Sequence, residues 1–197
     1  MNPEIRAFLK QLEDSGRLHD AQEPEHSRKM LNLEPDAAEL MSILAQTSGA
    51  AHALEIGTSN GYSTVWLAAS IGPSGGRVLS IDRSAEKQSM ARANLAKADL
   101  LDYVDLRCGD ATEIIRTLPG PFDFVFFDAD RRSALEQLNL LLPKLAPRAL
   151  ILADNALSHF EELKEYLTAL RRMDQLQHVL IPIGKGLSVA FATATTP

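Results

Sequence analysis

The sequence predicts an α/β fold in which helices cover both faces of a mostly parallel sheet. From residue 51 onward, short apolar runs alternate with amphipathic stretches, the pattern of strands that are joined by helices. The last two apolar runs are separated only by Gly184, Lys185 and Gly186. Because this connection is too short for a crossover helix, the final two strands must pair antiparallel as a hairpin. We therefore predict five parallel strands followed by a C-terminal antiparallel hairpin.

The predicted elements follow one another as five strand–helix units and then the hairpin. Strands are predicted at Ala51–Ile56, Arg77–Ile81, Val104–Arg107, Phe122–Phe127, Ala149–Ala153, His178–Ile183 and Leu187–Ala192. The spacing of apolar residues predicts helices at Tyr62–Ser70, Ala85–Ala96, Ala111–Leu118, Ser133–Leu145 and Phe160–Arg172. Upstream, helices are predicted at Pro3–Leu12 and Pro35–Gln46, with a polar linker at Asp20–Ser27. We predict a single domain over residues 1–197, with N-terminal helices over 1–50 and an α/β core over 51–197.

The composition is that of an ordinary soluble protein, with 45% hydrophobic and 23% charged residues. The formal net charge is −6 and the lysines and arginines are scattered, so the sequence lacks the basic footprint of a duplex-binding protein. No apolar stretch is long enough to span a bilayer. Cys108 is the single cysteine, so no internal disulfide can form. These features predict a cytoplasmic protein with neither a nucleic-acid nor a membrane partner.

The segment Leu54–Ser63 leads from a buried strand through small and polar residues into a helix. Its glycines, Gly57 and Gly61, have the spacing G-x-x-x-G, and Ser59 stands where a diphosphate-binding turn has its middle glycine. After the next strand comes Asp82, whose carboxylate can accept both hydroxyls of a ribose. The two features together predict a cofactor made of an adenosine linked to an amino acid. The alternative is that the glycines only shape a tight turn and Asp82 caps the following helix.

The third predicted strand is followed by the sequence Gly109–Ala111. The carboxylate of Asp110 would lie where it can accept a hydrogen bond from the exocyclic amine of an adenine. Aspartate is also a common residue at the start of a helix, so both interpretations stay open.

Acidic and amide side chains follow the fourth and fifth predicted strands. Asp128 follows Phe122–Phe127, and Asp154 and Asn155 follow Ala149–Ala153. Since neighbouring parallel strands end at the same edge of a sheet, these side chains are expected to converge. Two carboxylates and an amide oxygen suit Mg²⁺, which usually keeps further positions for water or substrate. The alternative is that these are ordinary loop or helix-start residues.

Four motifs in this sequence resemble the cation-dependent O-methyltransferase family, which includes catechol and caffeoyl-CoA O-methyltransferases. They occur in the family's order and the similarity runs from about Leu31 to Ala192. The resemblance implies a Rossmann-like, seven-stranded class I methyltransferase fold and S-adenosylmethionine as the cofactor. The motifs are LEIGTSNGYST at Leu54–Thr64, FDFVFFDAD at Phe122–Asp130, LADNAL at Leu152–Leu157 and IPIGKGL at Ile181–Leu187.

The resemblance also implies the residues of the site. Asp128, Asp154 and Asn155 match the family's metal ligands, and Asp128 together with Arg131 occupies catalytic positions. The backbone near Leu31 to Leu33 is implied to hold the methionine part of the cofactor. The cofactor-binding residues implied are Leu33, Glu55, Gly57, Thr58, Ser59, Gly61, Tyr62, Ser63, Asp82, Arg83, Gly109, Asp110, Ala111 and Asp128.

This chain departs from the family at the acceptor side of the site. Arg131 stands where the family commonly has a lysine base, and an arginine stays protonated, so it cannot serve as that base. Arg131 is expected to continue the helix start or to pair with Asp130. The family's usual G-D-G reads G-K-G here, and Lys185 is expected to face solvent, with a position near the acceptor as the alternative.

The chain also has a shorter acceptor lid than the family, because Ser158, His159 and Phe160 lead directly into a helix. His159 is a candidate replacement base, although a solvent-facing position at the helix start is the favoured expectation. A trimmed lid predicts a more open acceptor pocket, or one that a neighbouring subunit completes.

The sequence thus predicts a magnesium-dependent O-methyltransferase that acts on a hydroxylated small molecule with vicinal oxygens, working as a homodimer. The alternative is a cofactor-binding protein that has altered or lost the chemistry, because Arg131 replaces the usual lysine. An amide or nucleobase N-methyltransferase is disfavoured, since Asp128–Arg131 stands where Asn-Pro-Pro-Tyr would be expected. A nicotinamide-dependent oxidoreductase is disfavoured by the glycine spacing.

Overall fold

A computed structural model describes residues 1–193 of the chain. Its centre is a seven-stranded sheet in the order β3-β2-β1-β4-β5-β7-β6. The strands are β1 (His52–Ile56), β2 (Arg77–Asp82), β3 (Val104–Cys108), β4 (Phe122–Phe127), β5 (Leu145–Ala153), β6 (Leu176–Ile181) and β7 (Leu187–Ala192). β7 runs antiparallel to both β5 and β6, and the other described pairings are parallel. The predicted α/β class, with parallel strands and a closing antiparallel hairpin, is confirmed.

Helices precede the sheet and connect its strands. They are α1 (Pro3–Gln22), α2 (Pro35–Ser48), α3 (Tyr62–Ile71), α4 (Ala85–Lys97), α5 (Ala111–Thr117), α6 (Ala134–Leu141) and α7 (Phe160–Arg172). α1 and α2 begin with a proline, whose missing N–H costs nothing in a first turn. Asn2 caps α1 by accepting a hydrogen bond from the Glu4 N–H at 2.8 Å. Within residues 1–193, none of the helices is both long and apolar enough to cross a bilayer.

Several predicted boundaries were wrong. Helix α1 continues to Gln22, so the expected polar linker at Asp20–Ser27 starts inside a helix. Strand β5 begins at Leu145, earlier than predicted, because a register shift lets Phe122 on β4 pair with it. Strand β6 covers Leu176–Ile181, so its predicted range was displaced toward the C-terminus.

Helices cover both faces of the sheet, and successive side chains of each strand point to opposite faces. In β1, Ala53 packs with α1, α2 and α3 on one face, whereas Leu54 and Ile56 pack with α5, α6 and α7 on the other. Phe124 and Val125 of β4 divide between the two faces in the same way. Adjacent residues of a strand point to opposite faces, so a strand that is covered on both sides reads as a continuous apolar run.

The strand order reverses at β1, which lies between β2 and β4. The connection after β1 leads to β2 on one side, and the connection after β4 leads to β5 on the other side. Ligands of open α/β sheets bind outside the carboxyl ends of the strands at such a reversal. The turn after Ile56 and the segment after Phe127 border this crevice.

Candidate cofactor and metal site

A cavity of about 800 Å³ opens at the carboxyl ends of the central strands. This volume lies within the range of small-molecule sites. Its walls come from several parts of the chain. They are the N-terminal segment around Met30 to Leu33, the turn after β1, the ends of β2 and β4, the loop that contains Asn155 and His159, and Lys185 between β6 and β7. The predicted cofactor turn and the predicted carboxylate cluster therefore share one cavity.

Gly57 brings the turn against the end of β4. Its φ of 109° lies in the left-handed region, and a Cβ at this position would overlap the backbone of Asp128. The Asp128 N–H donates to the Ile56 carbonyl at 2.8 Å, which continues the β1–β4 pairing up to the turn. Gly61 also has a positive φ, and a Cβ there would lie 3.0 Å from Ala91 of α4. The glycines therefore allow close backbone contacts, and Gly61 lies behind the cavity wall instead of lining it.

Asp82 lines the cavity next to the turn after β1. Its carboxylate accepts hydrogen bonds from the Ser59 and Ser84 N–H groups, both at 2.8 Å. The residue that caps α4 is Ser84, which accepts from the Lys87 N–H, so the alternative role of Asp82 as the helix cap was wrong. The carboxylate is held with its remaining lone pairs available to the cavity.

A side cavity of about 50 Å³ continues from Asp82 past the end of β3. Asp110 and Ala111 line it, together with Ile56 and Arg83. One oxygen of Asp110 caps α5 by accepting from the Glu113 N–H at 3.1 Å. Asp110 thus has the capping role that the sequence left open, and it also lines the side cavity next to Asp82.

Glu55 lies one layer behind the turn and does not line either cavity. It is fully buried, and its Oε2 accepts hydrogen bonds of 2.5 Å from the hydroxyls of Thr64 and Ser80. Burial raises the pKa of Glu55 to about 7, although the nearby hydroxyls of Ser63, Ser80 and Thr64 act in the opposite direction. The resemblance grouped Glu55 with the cofactor-binding residues, but in the structure it supports the turn from below.

The carboxylate cluster forms where β4 and β5 end side by side. The Asn155 Nδ2 donates to Asp128 Oδ1 at 3.1 Å and to Asp154 Oδ2 at 2.9 Å, so the three predicted side chains converge. The Asp154 N–H donates to the Phe127 carbonyl at 3.0 Å, which aligns the two strand ends. Asn155 has a φ of 65°, a conformation that asparagine tolerates better than most residues.

The carboxyl groups of Asp128 and Asp154 are held close together by their shared contact with Asn155. Burial raises the pKa of Asp128 well above its usual range, and the nearby charge of Asp154 raises it further. Burial likewise raises the pKa of Asp154 to about 6, against a backbone hydrogen bond from Asn155 that lowers it. The Oδ1 atom of Asp154 is buried and has no hydrogen-bond partner among residues 1–193. An oxygen-preferring cation fits these groups, because it would satisfy this oxygen and relieve the repulsion.

The donor set is two carboxylates and one amide. Across the described part of the chain, no group of three or more His, Cys, Asp or Glu side chains is arranged to hold a metal. Asn155 presents its amide nitrogen to Asp128 and Asp154, so a rotation of about 180° about its terminal bond would be needed to offer the oxygen instead. A cation at this position would therefore leave several coordination positions for water or substrate oxygens.

Arg131 pairs with a partner that the sequence did not suggest. Its Nε lies 2.9 Å from Glu162 Oε2 on α7, and its side chain is about a quarter exposed. Asp130, the expected partner, instead accepts hydrogen bonds from the Arg132 N–H and the Ser133 hydroxyl. Arg131 thus forms part of the cavity wall, and Glu162 compensates its charge.

The expectation that Lys185 faces solvent was wrong. Lys185 is half-buried, lines the cavity and lies 2.8 Å from Glu34 Oε1. His159 stands at the start of α7, and its Nδ1 is 2.9 Å from the Ser158 hydroxyl. It is partly buried and lines the same cavity, so it does not simply face solvent.

Residues that the sequence analysis missed fix the N-terminal segment over the cofactor turn. The Ser59 hydroxyl donates to the Met30 carbonyl at 2.7 Å, and Lys87 Nζ donates to the Lys29 carbonyl at 2.9 Å. Asp20 accepts from the N–H groups of Met30 and Leu31 at 2.7 and 2.8 Å. No local sequence signal marks these contacts, because each joins positions far apart in the chain.

A family model described as a methyltransferase domain matches residues 54–156, which is more than half of the chain. The chain belongs to this methyltransferase family. It is 33% identical over 142 residues to the catechol O-methyltransferase of Niastella koreensis, covering 70% of this chain and 64% of that protein. It is 36% identical over 118 residues to the catechol O-methyltransferase of Mycobacterium tuberculosis, covering 59% of this chain and 53% of that protein. The chain thus spans between about half and two thirds of the length of these curated relatives.

Solved structures share the fold. Cofactor-bound Rv0187 from MTB superposes with a TM-score of 0.82 at 25% identity, covering 98% of this chain and 92% of that one. The O-methyltransferase from Bacillus cereus in complex with SAH has a TM-score of 0.80 at 24% identity, covering 95% and 91%. The predicted class I methyltransferase fold and the predicted family are therefore confirmed.

Proposed function

We propose that this protein transfers the methyl group of S-adenosylmethionine to an oxygen of a small molecule with vicinal hydroxyls, with Mg²⁺ as a cofactor. The observation that carries the proposal is the contact between the two halves of the site. Gly57 of the cofactor turn packs against the backbone of Asp128, and both line the cavity that also contains Asn155. A methyl donor on the turn and an oxygen acceptor at the cluster would be neighbours.

The cofactor would extend along the turn and into the side cavity. Asp82, already oriented by Ser59 and Ser84, is proposed to accept the ribose hydroxyls. Asp110 and Ala111 would border the adenine. The methionine part would lie near Leu33, Thr58, Tyr62 and Ser63, which line the main cavity. No nucleophilic side chain is needed for a direct transfer of the sulfonium methyl group.

Asp128, Asp154 and Asn155 are the residues proposed to hold Mg²⁺. When bound, a divalent cation lowers the pKa of a coordinated hydroxyl and orients substrate oxygens. The chain itself supplies two carboxylates, of which Asp154 is buried, and a cavity wall that would position the acceptor relative to the turn.

His159 is proposed to accept the proton of the acceptor hydroxyl. Arg131 cannot do so, because a guanidinium stays protonated and this one is bound to Glu162. An imidazole is the side chain that most often serves as a general base, and His159 lines the cavity on the acceptor side. Its Nδ1 contacts Ser158, which leaves Nε2 free of any hydrogen bond among the described residues.

Methyl transfer to catechols, hydroxycinnamates and flavonoids, assayed with and without EDTA, tests the proposal. We expect activity that requires the metal and is lost in Asp154→Ala. Asp102→Ala, which removes an exposed aspartate at the amino end of β3, is the matched control and should keep activity. Undiminished methylation in EDTA would refute the metal role while leaving the cofactor role intact.

A second candidate function is cofactor binding without methyl transfer. The observation that favours it is the Arg131–Glu162 pair, which occupies the wall where the family commonly has a lysine base. Calorimetry with S-adenosylmethionine, with and without Mg²⁺, separates the two proposals. Binding that is independent of the metal, together with no turnover of any acceptor, would favour this second function.

We also propose a homodimer, in which a neighbouring subunit completes the open acceptor side. Exposed apolar side chains on the N-terminal part, such as Leu18 and Ile43, support this assembly. Light scattering after size-exclusion chromatography tests it, and a monomer at every concentration would refute it.

A further inference from the structure

The connection between α1 and α2 passes beside the cofactor turn and forms part of the cavity wall. Its only regular structure is one short 3₁₀ turn, His26–Arg28. The part from Lys29 to Leu33, called the strap below, lines the cavity through its last four residues. The side chains of Met30 and Leu33 are buried, whereas Leu31 is 43% exposed. Because the strap has no helix or strand of its own, contacts with other elements must fix its position.

Asp20, near the end of α1, binds two consecutive backbone N–H groups of the strap. Its Oδ1 accepts from the Met30 N–H at 2.7 Å, and its Oδ2 accepts from the Leu31 N–H at 2.8 Å. The charge of the carboxylate makes such bonds stronger than bonds to a neutral acceptor. Leu31 has a φ of 50°, a left-handed conformation that is unfavourable for a residue with a Cβ. Asp20 therefore stabilises a backbone conformation that leucine by itself disfavours.

The other contacts between α1 and the strap come from the same face of the helix. Leu12, Gly16 and Asp20 are spaced four residues apart, which places them on one helical face. Asn32 Nδ2 donates to the Leu12 carbonyl at 3.1 Å, and a Cβ on Gly16 would lie 2.5 Å from the same nitrogen. The strap is therefore packed closely along this face of α1.

The strap also contacts the cofactor turn. The Ser59 hydroxyl donates to the Met30 carbonyl at 2.7 Å, so Met30 is bound to Asp20 through its N–H and to the turn through its carbonyl. Asp20 itself does not line the cavity. Any influence of Asp20 on a ligand must therefore pass through the strap.

We propose that Asp20 is a positioning residue for the cofactor. It holds the strap against the cofactor turn before the ligand arrives, so that binding loses little free energy to ordering the strap. The inference rests on the proposed function, because it takes the methionine part of S-adenosylmethionine to lie beside Leu33 and Ser63. The side cavity proposed for the adenine contains no strap residue, so the binding of adenosine should not depend on Asp20.

Calorimetry with S-adenosylmethionine and with adenosine tests this role. Asp20→Asn keeps the shape of the side chain but places an NH₂ group against one N–H of the strap. We expect it to weaken the binding of S-adenosylmethionine by about tenfold and to change the affinity for adenosine by less than about twofold. Asp14→Asn is the matched control, because Asp14 lies on the same helix with a side chain that is 42% exposed. This control should leave both affinities unchanged.

Hydrogen exchange of the protein without any ligand gives an independent measurement. The amides of Met30 and Leu31 should exchange about tenfold faster in Asp20→Asn than in the wild type, while the amide of Leu54 in the central strand keeps its rate. Equal protection of the two strap amides in both proteins would overturn the proposal.

Substitutions of Leu31 test whether Asp20 acts through the backbone of the strap. Leu31→Gly and Leu31→Ala both remove the exposed side chain, but only glycine adopts a positive φ without steric cost. Combined with Asp20→Asn, Leu31→Gly should therefore bind S-adenosylmethionine about threefold more tightly than Leu31→Ala does. Equal affinities of the two double variants would contradict the proposed role.

The remaining outcomes separate this role from a purely structural one and from the proposed function. If Asp20 only stabilised the fold, Asp20→Asn would weaken the binding of S-adenosylmethionine and adenosine alike, and that result would overturn the proposal. Binding by the wild type with unchanged affinity in Asp20→Asn would refute the positioning role alone. A wild type that binds no S-adenosylmethionine would refute the proposed function, and the positioning role with it.

Discussion

The buried carboxyl group of Glu55 makes the stability of this protein depend on pH in a calculable way. The side chain is 0% exposed and sits behind the cofactor turn. Its pKa is raised from an ordinary value of 4.5 to about 7. Each tenfold change in proton affinity corresponds to about 1.4 kcal/mol, so the difference amounts to roughly 3 kcal/mol.

Stability falls as the pH rises, because the folded state binds the Glu55 proton more tightly than the unfolded state does. Between about pH 4.5 and 7, the folded state keeps the Glu55 proton while the unfolded state releases it. The stability that the protonated group provides is therefore fully present below the unfolded pKa and is lost as the pH rises through the folded pKa. Above about pH 7, the folded state carries the full cost of a buried carboxylate.

Glu55→Gln replaces this group with a neutral amide of the same shape. Its side-chain oxygen can still accept from Thr64 and Ser80, while the new NH₂ lies where Oε1 is buried without a partner. That unsatisfied NH₂ costs about 1–3 kcal/mol at every pH. The free energy of unfolding of the variant, taken relative to the wild type, should therefore rise by roughly 3 kcal/mol from low to high pH. The unsatisfied NH₂ lowers it by the same amount at every pH.

Urea denaturation of both proteins at about pH 5, 6, 7 and 8 measures this difference. Asp128 and Asp154 also titrate, but both proteins contain them. Their contributions to the pH dependence therefore largely cancel in the stability difference. Glu161→Gln, which removes a glutamate whose side chain is 81% exposed, controls for the loss of a charge alone. A stability difference between Glu55→Gln and the wild type that stays constant across this range would refute the reasoning.

Four further predictions concern the cavity. Gly57→Ala should lower stability by about 1–3 kcal/mol or more and abolish S-adenosylmethionine binding, because the φ of 109° and the Asp128 backbone leave no room for a Cβ. Thermal melts measure the loss of stability, and calorimetry measures the binding. Asp82→Asn should weaken cofactor binding by about 10- to 100-fold, from the loss of charge-assisted hydrogen bonds, and unchanged affinity would contradict the ribose role. Ser59→Ala should weaken it by about fivefold, as expected for one hydrogen bond to the Met30 carbonyl. His159→Ala should lower kcat by about 10²-fold with little change in KM, and full turnover at every pH would exclude it as the base.

Local patterns in the sequence were enough to predict most of the fold. The connection Gly184–Gly186 can only join antiparallel strands, and the structure has this hairpin. The position of β7 between β5 and β6 could not be predicted, because strand order depends on which edges meet after the helices have packed. The predicted boundaries of β5 and β6 were wrong for the same reason. The ends of β5 and β6 are set by partner strands and not by their own residues.

The sequence by itself determined where the chemistry-bearing residues fall along the chain. Gly57 at a strand end and Asp128 and Asp154 at neighbouring strand ends follow from local pattern and from the geometry of parallel sheets. Only the tertiary structure decided what these groups contact. Glu162 neutralises Arg131 and Glu34 neutralises Lys185, and both partners come from elements far away in the chain. A side chain's partner depends on how distant elements pack, and that information is not contained in any local window of the sequence.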